Sequence, residues 1–576
     1  MDLRTQQRTA VLLMRMSGKR DKPIECIPYS PKKISYSIPE NSSGMFERAT
    51  PESQGIDSAL LNEFISEMCS EKDLFLHSLM VLRHSKVIAE LNVFPYEKGM
   101  WHVSHSMAKS IVGIGIGILI DKGLLSVDMP IVDFFPNDAN KVTALLKKDI
   151  TIRHLLTMTS GVNLNEAGSV TEKNWVRAFL NSGVSFKPGT KFMYNSMNTY
   201  MLSAIVQKIT GKTLFEFLKE HMFEPMGIKK IQWESCPMGI SKGGWGIYIL
   251  PEDIAKIAQL IINKGVWNKK RIVSEEWIEQ ISSLQTKTDG NMSDYGYGYQ
   301  IWMGKRSGSC QFNGMFGQNA YIFPDLDMVI VATAGNADLA PKSRMTRIVE
   351  SYFGDGFRPC DTLKENRAAL RSLKNTIKNI ENPPIMLTGT LPDMCYTLDG
   401  ISYKTSNKYG LLMPLVIQGL QNNHSPGITQ IGFEIKNETF YLKVQEDKTT
   451  YSIPVGFGEY IKTELDFKGE PYIIKTFGVF TTDEDDNTVL KIDMPFIETA
   501  NVRKIKIFFI GDKIKIAFSE TPGLEAASDG ISAVMSTNSK SLLNSIMNKA
   551  NEIEPDYFEY KVQKTLSPTV YASKCE

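Results

Sequence analysis

With 576 residues, the chain is about four times the length of a common domain, so a single small module is excluded and two domains are expected. Hydrophobic residues make up 42%, charged residues 22% and aromatic residues 10%, an ordinary globular composition that excludes disordered, collagen-like and low-complexity classes. Since 65 basic residues face 64 acidic ones, the whole chain has no net field with which to hold a nucleic acid or an anionic membrane.

Residues 1–47 are predicted to form a basic N-terminal arm, because Lys and Arg outnumber the acidic residues and no periodicity is sustained. We interpret it as a solvated arm, with contact to a polyanion or a membrane surface as the alternative. Its longest apolar run, 10–14, is too short for a signal-peptide core, and the run 111–120 is shorter than the about 20 residues of a membrane span. Seven cysteines without a C-x-x-C pair indicate reduced thiols, so we expect a soluble, cytoplasmic protein.

The strongest chemical signal is the S-x-x-K segment Ser106-Met107-Ala108-Lys109, which opens a very apolar helical pattern. Residues three apart on a helix share one face, so the hydroxyl and the amine are expected to be neighbours. A base must remove the serine proton, and burial can keep a lysine neutral enough to do so. The N–H of Ser106 would also lie at the positive end of the helix, where an oxyanion is stabilised. The alternative is a capping serine followed by a surface lysine, and a second S-x-x-K segment at 30–33 shows that the pattern alone is weak.

A second candidate segment, Tyr194-Asn195-Ser196, lies between a Pro-Gly turn and a helical pattern. A phenol and a hydroxyl two residues apart at a helix entrance can both point into one cleft. Tyr194 would then relay protons, and Ser196 would hydrogen-bond the lysine. The alternative for Ser196 is a helix N-cap.

The third segment runs from Phe312 through Asn313, Gly314 and Met315 to Gln318 and leads into an apolar strand pattern. Its glycines could mark bulges or a tight hairpin. Alternatively, Gly314 lets a ligand lie against a strand edge, where a backbone N–H can complete an oxyanion hole.

Taken together, the segments resemble the serine β-lactamase-like superfamily, in particular its class C β-lactamase, penicillin-binding protein and 6-aminohexanoate-dimer hydrolase branch. The resemblance extends over residues 48–352 and includes the segments 101–110, 123–128, 154–161, 223–228, 243–248, 263–268 and 295–299. It implies Ser106 as the nucleophile, with Lys109 and Tyr194 sharing proton transfer. It further implies Ser196 in a supporting position where many relatives have Asn, and an oxyanion hole formed by the backbone N–H groups of Ser106 and Met315.

The chain departs from this family at Phe312, where many relatives have Lys or His. A cation that would hold the carboxylate of a β-lactam or peptide is therefore not evident. Hydrolysis of a small ester or amide through an acyl-enzyme fits better, and the alternative is a non-catalytic ligand-binding or sensor protein that retains the penicillin-binding fold. Trp245 and Tyr248 are pocket candidates from their neighbourhood in the sequence. A G-x-S-x-G match at 239–243 is rejected as a nucleophile elbow, because no helix follows directly.

Beyond residue 385, short runs with period-two alternation, such as 504–509 and 513–518, are separated by turns. This pattern predicts an all-β sandwich or barrel. The predicted order is the arm, a β-lactamase-like serine hydrolase domain over 48–357, a helical linker over 358–384 and a β-rich domain over 385–576. The hydrolase domain is expected to be mixed α/β, with an antiparallel sheet flanked by helices and a helical subdomain.

No cofactor and no metal are predicted, since the seven histidines include neither an H-E-x-x-H segment nor a ligand cluster. Gly113, Gly115 and Gly117 do not fit a nucleotide-binding G-x-G-x-x-G loop and indicate close helix packing. The expected partner is a small-molecule substrate, without nucleic acid or a membrane span, and a homo-oligomer is left open.

Overall fold

The computed structural model describes residues 46–575 except 141–142, 144, 146, 289, 291, 339, 385–389 and 524–563, and also residues 5, 8, 12, 27, 30 and 32–39. These residues divide into two compact units. The first contains Ser37–Asn382 and Thr5 of the arm, and the second contains Pro383–Glu576 together with the described arm residues between Gln7 and Tyr36. A helical pattern near 540–553 lies outside the described residues.

The first unit is built on a seven-stranded sheet in the order β1-β3-β2-β12-β11-β10-β9. Its pairs are antiparallel, apart from the parallel pair β1 and β3. The strands β4, β5 and β6 form a separate small sheet, and β7 pairs with β8. The strands are β1 Glu47–Arg48, β2 Leu76–Arg83, β3 Lys86–Asn92, β4 His102–Val103, β5 Ile231–Trp233, β6 Ile247–Ile249, β7 Val266–Trp267, β8 Lys270–Arg271, β9 Trp302–Met303, β10 Cys310–Gly314, β11 Gln318–Phe323 and β12 Met328–Ala334.

Helices cover both faces of the seven-stranded sheet, which confirms the predicted mixed α/β class. They are α1 Ser58–Ser70, α2 Ala108–Asp121, α3 Ile152–Leu156, α4 Glu166–Ser169, α5 Trp175–Asn181, α6 Ser196–Thr210, α7 Leu214–Leu218, α8 Pro251–Ile262, α9 Glu275–Ile281, α10 Arg344–Phe353 and α11 Arg367–Glu381. Leu79 and Val81 of β2 pack on one side with α1, α10 and α11. Met80 and Leu82 pack on the other side with α2 and α8. Every residue of β2 is therefore buried, as expected for a strand covered on both faces.

Helix α2 is buried from Ala108 to Leu119, so its apolar residues in this stretch contact protein on all sides. Its glycines allow this close packing. A Cβ at Gly117 would lie 2.0 Å from Cδ1 of Trp277, and a Cβ at Gly113 would lie 2.8 Å from the carbonyl oxygen of Tyr299. The indole of Trp277 donates a hydrogen bond to the Gly113 carbonyl, 3.0 Å away. The expectation of close helix packing is confirmed.

The second unit is a ten-stranded antiparallel sheet in the order β16-β15-β14-β13-β22-β21-β20-β19-β18-β17. Its strands are β13 Ser402–Thr405, β14 Ile428–Lys436, β15 Thr439–Glu446, β16 Thr449–Val455, β17 Ile461–Phe467, β18 Glu470–Thr482, β19 Thr488–Pro495, β20 Val502–Ile510, β21 Lys513–Thr521 and β22 Thr569–Lys574, and its helices are α12 Asp393–Leu398 and α13 Leu415–Gln421. A bridge between Gly456 and Phe477 connects the end of β16 to β18, which brings the sheet close to a closed barrel. The predicted β-rich domain is therefore confirmed, and its interior is filled by apolar side chains.

Two observations bear on the ends of the predicted hydrolase domain. Lys33 of the arm, which we expected to be solvated, is buried in the second unit, where its Nζ lies 2.9 Å from the carboxylate of Glu498. Helix α11, which lies in the predicted linker, belongs to the first unit, since Leu373 is in its core and Glu381 accepts a hydrogen bond from the Asn92 amide. In the described part of the chain, no helix combines the length and apolarity needed to cross a membrane.

Candidate active site

The structure brings the hydroxyl of Ser106 and the amine of Lys109 together at the start of α2. Ser106 lies in a single 3₁₀ turn, His105–Met107, which leads directly into the helix, and Lys109 lies in the first helical turn. Lys109 Nζ is 2.9 Å from Ser106 Oγ. Ser106 is partly exposed, whereas Lys109 is 1% exposed. The hydroxyl can therefore meet a ligand while the amine behind it is shielded from water.

Burial changes the protonation of Lys109. Removal from water disfavours the charged ammonium and lowers the pKa of Lys109 to about 7, although the carboxylate of Glu166 acts in the opposite direction. A substantial fraction of the amine is therefore neutral at neutral pH and can accept a proton.

Three oxygen atoms surround the Lys109 amine and determine where its lone pair points. Lys109 Nζ is 2.8 Å from Ser196 Oγ and 2.7 Å from the carbonyl oxygen of Gly244, in addition to its contact with Ser106. The carbonyl can only accept a hydrogen bond, and the Ser196 hydroxyl can accept the second N–H of a neutral amine. This arrangement leaves the lone pair for the proton of Ser106.

Tyr194 completes the contacts around the nucleophile. Lys109 Nζ lies 4.9 Å from the centre of its ring. The ring stacks on Trp302, with centroids 5.4 Å apart. Burial raises the pKa of Tyr194 well above its ordinary value, so the phenol stays protonated and can act as a proton donor.

The N-cap of α6 is Asn195, so the interpretation of Ser196 as an N-cap is wrong. The Asn195 side chain accepts a hydrogen bond from the Met197 amide, and it donates to the carbonyls of Val162 and Leu164 at 2.8 Å each. Since Asn195 satisfies the helix end, the hydroxyl of Ser196 is available for Lys109.

The third segment forms the end of β10 beside the nucleophile. A Cβ at Gly314 would lie 2.5 Å from the Ser104 carbonyl oxygen and 3.3 Å from the Met107 amide nitrogen, so a larger residue would push this strand away from the 3₁₀ turn. Met315 follows and is partly exposed. In the described part of the chain, its amide and that of Ser106 donate to no backbone carbonyl in the turns, loops and caps. Their pairing as an oxyanion hole stays a prediction.

The other residues of the third segment support this turn from inside the protein. The side-chain amide of Asn313 donates to the side chain of Asn319 at 2.6 Å, and the side-chain amide of Gln318 donates to the backbone carbonyl of Ala334 at 2.7 Å. Phe312 is 1% exposed and belongs to the apolar core. It therefore offers no polar contact to a ligand.

Trp245 and Tyr248 do not line an open pocket in the structure. Trp245 is 5% exposed and stacks on Trp175, with ring centroids 5.6 Å apart. Tyr248 is 1% exposed and packs against Trp101, with centroids 5.4 Å apart. Their prediction as pocket residues is corrected, because this packing leaves almost no surface for a ligand.

Sequence reasoning missed two contributors, Gly244 and Glu166. Gly244 contacts the amine through a backbone carbonyl, for which a sequence carries no residue-type signal. Glu166 acts on the charge of Lys109 from helix α4, 57 positions along the chain. The nearby histidines are buried, with His77 Nδ1 and His102 Nε2 3.2 Å apart. Among the described residues, no three His, Cys, Asp or Glu side chains are grouped so as to hold a metal ion.

Comparison with known proteins identifies relatives of the first unit. The Beta-lactamase family model matches residues 76–347, which include every residue of the site described above. This stretch belongs to the serine β-lactamase-like superfamily.

Relatives of the β-lactamase-like stretch include hydrolases, esterases and penicillin-binding proteins. The 6-aminohexanoate-dimer hydrolase of Paenarthrobacter ureafaciens is 26% identical over 297 residues, covering 47% of this chain and 74% of the relative. Esterase EstB of Burkholderia gladioli is 28% identical over 142 residues, covering 22% of this chain and 36% of the esterase. A solved structure of a penicillin-binding protein homologue from Caulobacter crescentus is 14% identical, with a TM-score of 0.44, and the match covers 53% of this chain and 98% of that structure.

Proposed function

We propose that the β-lactamase-like domain is a serine hydrolase that cleaves a small, uncharged ester or amide through an acyl-enzyme. The observation that carries the proposal is the buried amine of Lys109, 2.9 Å from the partly exposed hydroxyl of Ser106. A nucleophile and a base within hydrogen-bond distance are the two groups that such a reaction requires.

In the first step, Ser106 Oγ forms a bond to the substrate carbonyl carbon while the neutral amine of Lys109 takes its proton. The carbonyl oxygen becomes negatively charged, and the amides of Ser106 and Met315 would donate hydrogen bonds to it. Collapse of the tetrahedral intermediate breaks the bond to the leaving alcohol or amine, which receives a proton from Tyr194 or Lys109. Where Tyr194 is the donor, its phenolate takes the proton that the ammonium of Lys109 holds, so both groups return to their starting protonation.

In the second step, Lys109 takes a proton from a water molecule while the water oxygen bonds to the acyl carbon. The bond between this carbon and Ser106 Oγ then breaks, the ammonium of Lys109 returns the proton to Oγ, and the acid is released. The raised pKa of Tyr194 argues for a donor role of the phenol in both steps, since a protonated phenol cannot serve as the base.

The substrate is proposed to be uncharged because of Phe312. In many members of the superfamily a cation at this position would meet a substrate carboxylate, but in this chain the position is an apolar side chain buried in the core. We therefore expect slow turnover of β-lactams and faster turnover of short-chain esters.

A fluorophosphonate probe tests the proposal, because it phosphonylates an activated serine. We expect labelling of the full chain on Ser106, observed by mass spectrometry of the tryptic peptide, and loss of that labelling in Ser106→Ala. Ser110→Ala is a matched control on the same helix, since the Ser110 hydroxyl donates to the Gln300 carbonyl instead. Nitrocefin and p-nitrophenyl esters then separate lactam from ester hydrolysis. Absence of labelling across pH 6–9 would favour the non-catalytic binding protein, and fast nitrocefin hydrolysis would contradict the substrate proposal.

A further inference from the structure

The small sheet beside the active site contains a long hairpin connection. Strands β5 and β6 pair antiparallel, and residues 234–246 connect them; we call this segment the 234–246 loop. Its two ends are joined by backbone hydrogen bonds. The Glu234 amide donates to the Gly246 carbonyl at 2.9 Å, and the Lys242 amide donates to the Glu234 carbonyl at 2.8 Å. The loop is therefore folded back on its own first residue.

The same two residues form a buried ion pair. Lys242 Nζ lies 2.6 Å from Glu234 Oε2, and their side chains are 4% and 1% exposed. The loop backbone encloses the carboxylate closely, because a Cβ at Gly246 would lie 2.6 Å from the same oxygen. Removal of two charges from water is unfavourable unless they are well paired, so this pair keeps its geometry once formed.

The residues after Lys242 lie against helix α6. Gly243 has a φ of +68°, and a Cβ there would lie 2.9 Å from the Thr199 carbonyl oxygen. The Ser203 hydroxyl donates to the Ser241 carbonyl at 2.7 Å. Gly244 comes next, and its carbonyl oxygen is 2.7 Å from Lys109 Nζ. Only one residue therefore separates the buried ion pair from the carbonyl that contacts the amine.

We propose that Glu234 and Lys242 are positioning residues, which clamp the 234–246 loop so that the Gly244 carbonyl holds the Lys109 amine beside Ser106. The role rests on the proposed function insofar as Lys109 is the base. The ion pair affects Lys109 through the loop backbone and not through its charge. The charges of Glu234 and Lys242 offset each other, and the charged group that acts on Lys109 is Glu166.

Loss of the clamp should change the pH dependence of Ser106 labelling, which general destabilisation of the fold would not do. A hydrogen bond from the ammonium to a carbonyl favours the charged amine, so displacement of the Gly244 carbonyl lowers the pKa of Lys109 further. The other titratable groups that act on Lys109 or contact it, namely Glu166, Tyr194 and His105, remain in place. Lys242→Met also leaves the charge of Glu234 unpaired, and Gly244→Ala, which keeps both charges, separates that effect from displacement of the carbonyl. The pH at which labelling of Ser106 is half-maximal should therefore fall by about one unit. The plateau rate should fall at least tenfold, because the amine is no longer held beside the hydroxyl.

The test compares Lys242→Met with Lys264→Met in the full chain. Lys264 also pairs with a glutamate, Glu275, but both side chains are largely exposed, at 61% and 41%. We expect Lys242→Met to show the lower pH midpoint and the lower plateau, and Lys264→Met to retain the wild-type profile. Gly244→Ala keeps both charges of the ion pair and displaces the carbonyl by a different route, because its Cβ would lie 2.9 Å from the Ser196 carbonyl oxygen and 3.0 Å from Ser196 Cβ; we expect the same shift. Gly244→Ala carries the test if Lys242→Met does not fold.

Crystal structures of the variants provide a readout that does not depend on activity. We expect the separation between Gly244 O and Lys109 Nζ to exceed hydrogen-bond distance in Lys242→Met. An unchanged separation, or an unchanged pH midpoint in folded Lys242→Met, would overturn the clamp. Failure of the wild-type protein to react with the probe would instead refute the serine hydrolase proposal, and the crystal structures would still decide whether the pair positions the carbonyl.

Discussion

Burial of the Lys109 amine lowers the stability of the folded protein, and hydrogen bonds to its neighbours offset part of this loss. A pKa lowered from 10.5 to about 7 corresponds to a loss of about 4 kcal/mol near neutral pH. Hydrogen bonds with Ser106, Ser196 and Gly244 contribute about 1 kcal/mol each. The two magnitudes are similar, so the position contributes little net stability and mainly supplies a neutral amine.

The protonation of Lys109 predicts how labelling of Ser106 depends on pH. The neutral amine is the form that accepts a proton, and its fraction rises with pH through the pKa of about 7. We expect the labelling rate to increase about tenfold per pH unit below 7 and to become constant above about pH 8. The rate is measured with the fluorophosphonate probe between pH 5 and 9, and Lys109→Met should reduce it at least a thousandfold at every pH.

Lys147 offers a matched control for this pH profile. It is also buried, burial lowers its pKa to about 8, and its amine donates to the carbonyls of Leu180 and Ser182. Since it contacts no hydroxyl of the site, Lys147→Met should leave the pH profile unchanged. A profile that rises in the same way without Lys109 would show that another base activates Ser106.

At the scale of elements, the site depends on how closely α2 is packed. The helix carries Lys109, and its middle is held by Trp277 of α9, whose indole donates to the Gly113 carbonyl. No Cβ fits at Gly117, since it would lie 2.0 Å from Trp277. Glycine is about 1 kcal/mol less favourable than alanine inside a helix. At Gly117, however, the absence of a Cβ allows the two helices to lie in close contact.

Gly117→Ala should therefore destabilise the first unit despite the better helix propensity of alanine. Overpacking in a core costs about 1–3 kcal/mol, which exceeds the propensity gain for a contact this short. We expect a net loss of about 1–2 kcal/mol in the free energy of unfolding. Urea unfolding followed by tryptophan fluorescence measures it, because all seven tryptophans lie within Ser37–Asn382. Gly356→Ala is the control, since a Cβ at Gly356 meets nothing within 4 Å; equal stability of the two variants would contradict the argument.

At the scale of the whole molecule, each unit has its own core and its own buried charges. The second unit buries Lys33 with Glu498 and Arg503 with Glu520, at 2.9 Å and 2.7 Å. Its core also contains a large cluster of apolar side chains, most of them from the strands. The residues to which the proposed chemistry is assigned all lie in the first unit.

Lys33→Met should destabilise the second unit by about 3–5 kcal/mol, because it leaves the carboxylate of Glu498 buried without its cation. Hydrogen exchange measured by mass spectrometry should show faster exchange in the peptides that cover 470–475 and 496–500. Lys443→Met removes a partly exposed ion pair with Glu434 in the same unit and should change stability by less than about 1 kcal/mol. Similar exchange in the two variants would show that the ion pair between Lys33 and Glu498 does not stabilise the second unit.

The parts of the molecule that could be predicted are those that depend on neighbours along the chain. The three-residue spacing of Ser106 and Lys109 places both side chains on one helix face, and the apolar residues that follow require burial. Period-two alternation similarly indicated the strands of the β-rich unit, because side chains alternate between the two faces of a strand.

The remaining features depend on contacts between distant parts of the chain. Lys109 meets Ser196 from 87 positions away and Gly244 from 135 positions away, and the second contact is made by a backbone carbonyl. Asn195 rather than Ser196 caps α6, and Lys33 is buried rather than solvated. Residue types and spacing therefore determined which groups could react, while only tertiary packing decided which of them meet, because burial and hydrogen-bond distance are set by the elements that the fold brings together.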